Sequence, residues 1–251
     1  MQSQPLWVVG APRSGTTFLG QMLNAHPKIT LTIEARFFAL LKQLVEVDCA
    51  RPDLLSAEHH SRFSAFLKRS AGGLIERYYR DELGVETPIW GDKHPPYGDP
   101  VLLSGRDKER PPHWRSGSAL PLIAEVLPDS KFIHITRAPN EVAHSLLRRG
   151  WVSSLAEGES VRHEYVEEID RFFEQLGENG LRIDYGQLLA RPEEVVASIA
   201  KFLGIAAAPM LTFLRSERRA PTPFSEPVRN LNEVYRRLEP SLATARNAAA
   251  E

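Results

Sequence analysis

Short runs of apolar residues alternate along the chain with longer segments whose apolar residues recur every three or four positions. Three of the runs, at residues 6–10, 131–135 and 181–185, are rich in β-branched or aromatic residues, and each ends where a helical pattern begins. Residues 88–90 form a weaker fourth run of this kind. The pattern therefore predicts four β-strands separated by helices.

The helical segments carry their apolar residues on one face. The clearest segment covers residues 160–177, where the apolar positions step by three or four: Val161, Tyr165, Ile169, Phe172 and Leu176. Another helix opens at Pro192, because proline and acidic residues favour the first helical turn, and it ends before Gly204. Alternating strands and helices predict a parallel sheet with helices on both faces, so we expect a single α/β domain over residues 1–251.

Composition narrows the classes of partner. The 31 basic and 32 acidic residues nearly cancel, which argues against bulk attraction to nucleic acid or to an anionic membrane, so an anion site must be built locally. Cys49 is the single cysteine, which excludes an intrachain disulfide and favours a reducing compartment. The chain shows no signal peptide and no apolar run near the roughly 20 residues that span a bilayer, so a cytoplasmic protein is expected.

One segment breaks the alternation of strands and helices. Residues 95–118 contain five prolines with charged residues between them, and a loop of this length is usually functional or disordered. Two interpretations stay open for this insertion, a lid over an acceptor site and a plain surface loop. The Ala-rich tail at residues 241–251 is expected to fray.

The stretch GAPRSGTT, residues 10–17, has the layout of a phosphate-binding loop. Its two glycines, Gly10 and Gly15, have the G-x-x-x-x-G spacing that lets successive backbone N–H groups point at an anion. A strand precedes the loop, and a helix over residues 16–25 follows it and adds its positive N-terminal end. The sequence therefore predicts a site for a phosphate or a similar anion.

This loop departs from the nucleoside-triphosphate version in two places. Thr16 stands where that version carries lysine, and the strand KFIHIT is followed by Arg137 where an aspartate would help to hold Mg²⁺. A cation in place of a metal-binding carboxylate favours direct binding of an anion, so no metal is expected. A kinase or NTPase using ATP and Mg²⁺ is the alternative, and a catalytically silent nucleotide-binding module is another.

Two segments, GAPRSGTTFLGQMLNAHP and FIHITRAPNEVAHSLL, resemble the nucleotide signatures of sulfotransferases that use 3′-phosphoadenosine 5′-phosphosulfate (PAPS). The arginine-bearing P-R-S-G-T-T form looks most like the bacterial and tyrosylprotein branches of that family. The resemblance implies a P-loop-type α/β fold and metal-independent in-line transfer of a sulfuryl group to a hydroxyl or amine, with adenosine 3′,5′-bisphosphate as the product. The acceptor could be a small molecule, a peptide or a sugar, and the oligomeric state stays open.

The resemblance also implies which residues bind the nucleotide. The first signature would bind the 5′-phosphosulfate through Arg13, Ser14, Gly15, Thr16 and Thr17. The second would bind the 3′-phosphate through Arg137 and Ser145, although a helix serine alone more often bonds a backbone carbonyl. Tyr185 would contact the nucleotide or pack in the core, and Arg229 would supply a last basic contact.

For catalysis, the resemblance implies a base that takes the proton of the acceptor and a cation that stabilises the leaving group. It also implies that Arg13 is a second catalytic cation. Glu34 stands after the first predicted helix, where the similar enzymes carry their glutamate base, and Lys93 matches the lysine that faces the bridging oxygen. His94 is a rival base, because cytosolic sulfotransferases carry a histidine two residues beyond such a lysine. His94 is only one residue beyond Lys93 and would face the other way in an extended chain, which favours Glu34.

Overall fold

The computed structural model describes residues 3–48, 56–102 and 117–219. These residues build a five-stranded sheet in the order β2-β3-β1-β4-β5, and every neighbouring pair is parallel. The strands are β1 (Gln4–Val9), β2 (Ile29–Ile33), β3 (Ile89–Lys93), β4 (Lys131–Thr136) and β5 (Gly180–Asp184). The predicted parallel α/β fold is confirmed.

Nine α-helices accompany the sheet in the described residues. They are α1 (Thr16–Asn24), α2 (Phe37–Lys42), α3 (Ala57–Arg77), α4 (Leu120–Val126), α5 (Pro139–Arg148), α6 (Leu155–Phe173), α7 (Tyr185–Ala190), α8 (Pro192–Leu203) and α9 (Ala208–Arg219). The predicted helix at residues 160–177 corresponds to α6, which begins earlier because the Ser154 side chain accepts a hydrogen bond from the Glu157 N–H and caps it.

The central strand β1 shows why both faces of the sheet are covered. Its side chains alternate, so Trp7 and Val9 enter one hydrophobic core while Leu6 and Val8 enter another, and all four are fully buried. The first core is closed by apolar residues of α2 to α6, and the second by those of α1 and α7 to α9. A strand buried on both sides reads as a continuous apolar run, which is the pattern seen in the sequence.

The fifth strand, β2, is absent from the predicted set of four. Its sequence, ITLTI, is short, and its two threonines are only half-buried, so no continuous apolar run marks it. It pairs in parallel with β3, with Ile33 opposite Lys93. This strand brings Glu34 to the edge of the sheet.

The predicted insertion at residues 95–118 is described only at its two ends. Its start, Pro95–Gly98, is a short 3₁₀-helix in which Pro95, Tyr97 and Gly98 are buried. Residues 103–116, the tail at 241–251 and Cys49 lie outside the described residues, so the lid and the frayed tail stay predictions. In the part of the chain that is described, no helix combines the length and the apolar composition that crossing a bilayer requires.

Candidate functional site

The predicted site residues lie at one edge of the sheet. Because all five strands are parallel, their carboxyl ends meet at the same edge, where ligands of open α/β sheets bind. Each strand delivers one predicted residue at or just after its end: Glu34 from β2, Lys93 from β3, Gly10 from β1, Arg137 from β4 and Tyr185 from β5. The central position of β1 places the phosphate-type loop between the other four.

The loop between β1 and α1 has the backbone of an anion cradle. The Ser14 N–H and hydroxyl both donate to the carbonyl oxygen of Ala11, at 3.1 and 2.6 Å, which turns the chain tightly. Gly15 has φ 102°, and a Cβ there would lie 2.4 Å from Cδ2 of Tyr185. Within the described residues no side chain caps α1, and its first turn holds no acid, so its N–H groups can receive an anion. Thr16 is buried at the helix start and Thr17 is half-buried.

The structure brings the two nucleotide signatures into direct contact. Arg13 Nε donates to Ser145 Oγ at 3.0 Å, and Arg137 Nη1 donates to the Arg13 carbonyl oxygen at 3.5 Å. The Arg137 guanidinium also lies 5.0 Å from the centre of the Tyr185 ring. Ser145 therefore bonds the arginine of the first signature, and Tyr185 packs between the loop and Arg137.

Four arginines create a concentrated positive charge at this edge. Burial and the charges of Arg149, Arg137 and Arg148 lower the pKa of Arg13. Arg137 has an acidic partner, Glu141, at 2.7 Å, whereas in the described ranges Arg13, Arg148 and Arg149 have none. Repulsion among like charges is relieved by an anion, so this edge is suited to bind one.

Arg148 and Arg149 lie at the C-terminal end of α5, where cations are favoured in any helix, so the sequence alone predicts no role in the site for either of them. Helical phase offers a signal for both of them. Arg148 and Arg149 are three and four residues beyond Ser145 at the end of α5, and residues at either spacing share a helix face. Arg149, whose charge affects Arg13 more than that of Arg148, is therefore a candidate site residue that the local sequence pattern does not identify.

Glu34 and Lys93 form an ion pair on the other side of the loop. Lys93 Nζ lies 2.8 Å from Glu34 Oε1, and the Glu34 N–H donates to the Lys93 carbonyl oxygen at 3.0 Å. The Lys93 side chain is only 2% exposed and packs near Gly20 of α1, whereas Glu34 is 46% exposed. A buried cation thus lies beside a carboxylate that a ligand can reach.

His94 lies close to this pair and is buried. Burial lowers its pKa to about 4; the charge of Glu34 opposes this decrease, and the charges of Lys93 and Arg36 add to it. Its ring contacts Tyr97 at 4.4 Å between centroids, and among the described residues its Nδ1 has no hydrogen-bond partner. His94 is therefore neutral at pH 7 and stays a rival for the role of base. Arg229 lies outside the described residues.

Comparisons with a family profile, with curated proteins and with solved structures all identify sulfotransferases as similar to this chain. The profile of the family described as Sulfotransferase family matches residues 5–209. The protein-tyrosine sulfotransferase of Drosophila melanogaster is 26% identical over 208 residues, which is 80% of this chain and 38% of that protein. A putative protein-tyrosine sulfotransferase of Caenorhabditis briggsae is 24% identical over 215 residues, 80% of this chain and 66% of that protein. The chain thus spans less than two thirds of either relative.

Solved structures share the fold. The sulfotransferase domain from the Synechococcus PCC 7002 olefin synthase superimposes with a TM-score of 0.52 at 20% identity, covering 81% of this chain and 74% of that one. The sulfotransferase domain from the curacin biosynthetic pathway gives 0.50 at 19% identity, covering 81% and 75%. Since the family profile extends over most of the chain, including every predicted site residue except Arg229, this chain belongs to the sulfotransferase family.

Proposed function

We propose that the protein transfers a sulfuryl group from PAPS to a hydroxyl or amine of an acceptor. The observation that carries the proposal is the group of four arginines, Arg13, Arg137, Arg148 and Arg149, beside a glycine-bearing loop at a helix N-terminus. PAPS has anionic groups at both its 5′ and 3′ positions, so it needs two anion sites close to each other. The hydrogen bond between Arg13 and Ser145 supports the proposal, because it brings the two nucleotide signatures side by side.

The residues present fit this donor. The loop N–H groups, the Arg13 fork and the hydroxyls of Thr16 and Thr17 would hold the 5′-phosphosulfate, because planar guanidinium groups bind two oxygens at once. Arg137, Ser145 and Arg149 would hold the 3′-phosphate. The donor supplies the sulfuryl group, and the fixed arginines supply the charge that offsets its anionic oxygens.

The acceptor half of the site is assigned to Glu34 and Lys93. The half-exposed carboxylate of Glu34 would take the proton from the acceptor as its oxygen or nitrogen attacks. The buried ammonium of Lys93 would stabilise the charge that develops on the leaving oxygen. Their separation of 2.8 Å keeps the base and the cation within one hydrogen bond of each other.

The names of the two curated relatives favour a phenolic hydroxyl as the first acceptor to test. A tyrosine-containing peptide and a simple phenol carry the same reacting group, and they differ in whether a peptide surface is required. Transfer to the phenol alone would place the acceptor among small molecules, and transfer to the peptide alone would place it among proteins. These two acceptors are the starting set for assays with labelled PAPS.

Thermal unfolding with nucleotides tests the proposed donor. Adenosine 3′,5′-bisphosphate is expected to raise the free energy of unfolding by about 2.7 kcal/mol at 100 times its Kd, because it binds only the folded state. ATP with Mg²⁺ at the same concentration is expected to have a much smaller effect. Stabilisation by ATP with Mg²⁺ alone would instead indicate a kinase or NTPase. Bisphosphate binding without sulfate transfer to any acceptor would indicate a silent module.

Replacement of Arg149 is expected to weaken binding at the 3′-phosphate selectively. Arg149→Gln should lower bisphosphate affinity about 10- to 100-fold, the size expected for one charge-assisted hydrogen bond of about 1.5–3 kcal/mol. Affinity for adenosine 5′-phosphosulfate, which lacks the 3′-phosphate, should stay within about threefold. Isothermal titration with both nucleotides measures the difference.

Arg62→Gln is the matched control for this experiment. It removes the same charge from an exposed position on α3, where the arginine pairs with Glu58 and belongs to neither nucleotide signature. A loss of affinity that is equal in the two variants, or equal for the two nucleotides, would contradict the assignment of Arg149 and leave only a diffuse electrostatic effect.

A further inference from the structure

The segment that carries Glu34 has a strained backbone. Both Glu34 and Arg36 adopt φ 62°, in the left-handed region that residues other than glycine rarely occupy. Such conformations persist only where surrounding contacts hold them, and they concentrate at functional sites. The contacts that hold this segment therefore also determine where the Glu34 carboxylate lies.

The end of β3 supplies these contacts from two consecutive residues. Lys93 binds Glu34 through its ammonium and through its carbonyl oxygen, at 2.8 and 3.0 Å. Asp92 Oδ2 accepts the N–H of Ala35 at 3.1 Å. Successive strand residues point to opposite faces of a sheet. The Asp92 and Lys93 side chains therefore contact the Glu34 segment from opposite faces, Asp92 at the Ala35 amide and Lys93 at the Glu34 carboxylate.

Asp92 itself is held in a closed polar network. It is fully buried, and its other oxygen accepts the Thr32 hydroxyl at 3.0 Å. Thr32 also lies 2.7 Å from the Tyr79 hydroxyl, which donates to the Gly91 carbonyl at 2.8 Å. The Thr32 hydroxyl and the Ala35 amide each bind one oxygen of the carboxylate, which orients Oδ2 toward Ala35.

This buried carboxylate has no cation of its own. The ammonium of the adjacent Lys93 is paired with Glu34, and no ion pair involves Asp92 in the ranges that the structure describes. Burial raises the pKa of Asp92 to about 6, against hydrogen bonds from Ala35, Thr32 and Tyr97 and the charge of Lys93, which all lower it. The hydrogen bond from the Ala35 amide is therefore one of the contacts that keep this buried carboxylate ionised and in place.

We propose that Asp92 is a positioning residue, whose carboxylate fixes the Ala35 amide and thereby holds the Glu34 carboxylate beside Lys93 and in reach of the acceptor. This inference rests on the proposed function, since it takes Glu34 as the base. Asp92 acts through Glu34 and does not touch the acceptor itself.

A double-mutant cycle tests the proposal. Asp92→Ala is expected to lower kcat about 10- to 100-fold while the affinity for adenosine 3′,5′-bisphosphate stays within about threefold. In the Glu34→Gln background, Asp92→Ala should lower kcat by less than about threefold, because the base that Asp92 positions is already absent. A phenol of ordinary acidity is the acceptor for the cycle, because its transfer depends on the base and still leaves a measurable turnover in Glu34→Gln.

Two further variants separate positioning from folding. Asp92→Asn is expected to recover at least about a third of the wild-type kcat, because its oxygen can accept from Ala35 while its amide donates to Thr32. Tyr79→Phe is the matched control: it removes a buried hydroxyl from the same network without touching the Glu34 segment. It should lower the Tm and leave kcat within about twofold.

The possible outcomes distinguish this inference from the proposed function. The positioning role is wrong if Asp92→Ala lowers kcat by the same factor in the wild-type and Glu34→Gln backgrounds. It is also wrong if the kcat of Asp92→Asn is no higher than that of Asp92→Ala. In both cases the proposed sulfate transfer is unaffected. If the wild-type protein binds bisphosphate but transfers no sulfate, both are wrong. If Asp92→Ala does not fold, Asp92→Ser replaces it in the cycle, because its hydroxyl is too short to reach the Ala35 amide.

Discussion

Glu34→Gln is expected to lower kcat for sulfuryl transfer by about 10²- to 10⁴-fold, the usual contribution of a general base. Glutamine has the shape of glutamate, and its carbonyl oxygen can still accept the hydrogen bond from Lys93 Nζ. It cannot take a proton at neutral pH. Steady-state kinetics with a phenolic acceptor measure the loss, and bisphosphate affinity should stay within about threefold.

The acidity of the acceptor provides the internal control for Glu34→Gln. A phenol that ionises easily needs little help from a base, so the variant should lose much less activity with it than with an alkyl alcohol. His94 supplies the competing outcome, because it is neutral at pH 7 and lies close to the same ion pair. Turnover that survives in Glu34→Gln and disappears in His94→Asn would make His94 the base.

The fold and half of the site follow from local sequence patterns. The glycine loop after β1 and the arginine after β4 were readable because each sits at the junction of an apolar run and a helical pattern, and both junctions are confirmed. Parallel strands then force their carboxyl ends to one edge. This geometry brings Arg13, Arg137 and Tyr185 to the same edge, and the structure shows that Arg137 contacts the other two.

Glu34 shows what local patterns miss. Its position depends on β2, whose half-buried threonines interrupt the apolar pattern, and on the register that sets Ile33 opposite Lys93. The positive φ values of Glu34 and Arg36 are set by tertiary contacts, since neither residue type favours them. The sequence could therefore suggest Glu34 only through resemblance, and it gave no sign that Asp92 contacts the same segment.

The arginine group is a tertiary feature of the same kind. Arg148 and Arg149 at the end of a helix have a sufficient local explanation in the helix dipole, so nothing in the sequence required another role. Their effect on Arg13 arises because α5 packs with Ser145 against the loop after β1. Charges from separate elements add up only where the fold brings them together.

Lys93→Met is the second large expected effect, a decrease of about 10²- to 10³-fold in kcat. Methionine replaces the buried aliphatic stem, which packs near Gly20, and removes only the ammonium. The charge that develops on the leaving oxygen would then lack the cation that we propose for it. Stopped-flow or steady-state assays measure kcat, and bisphosphate titration checks that the nucleotide still binds.

Lys42→Met is the matched control, because Lys42 is the same kind of residue in a different place. Its side chain is only 7% exposed, and its Nζ lies 2.7 Å from Glu46 Oε1 at the end of α2. Losing this ion pair should reduce stability and leave kcat within about threefold. If the two methionine variants lose activity equally, burial of a charged pair explains the effect, and Lys93 has no role on the leaving group. If kcat decreases only in Lys93→Met, and this variant keeps its bisphosphate affinity, the Lys93 ammonium acts in the transition state.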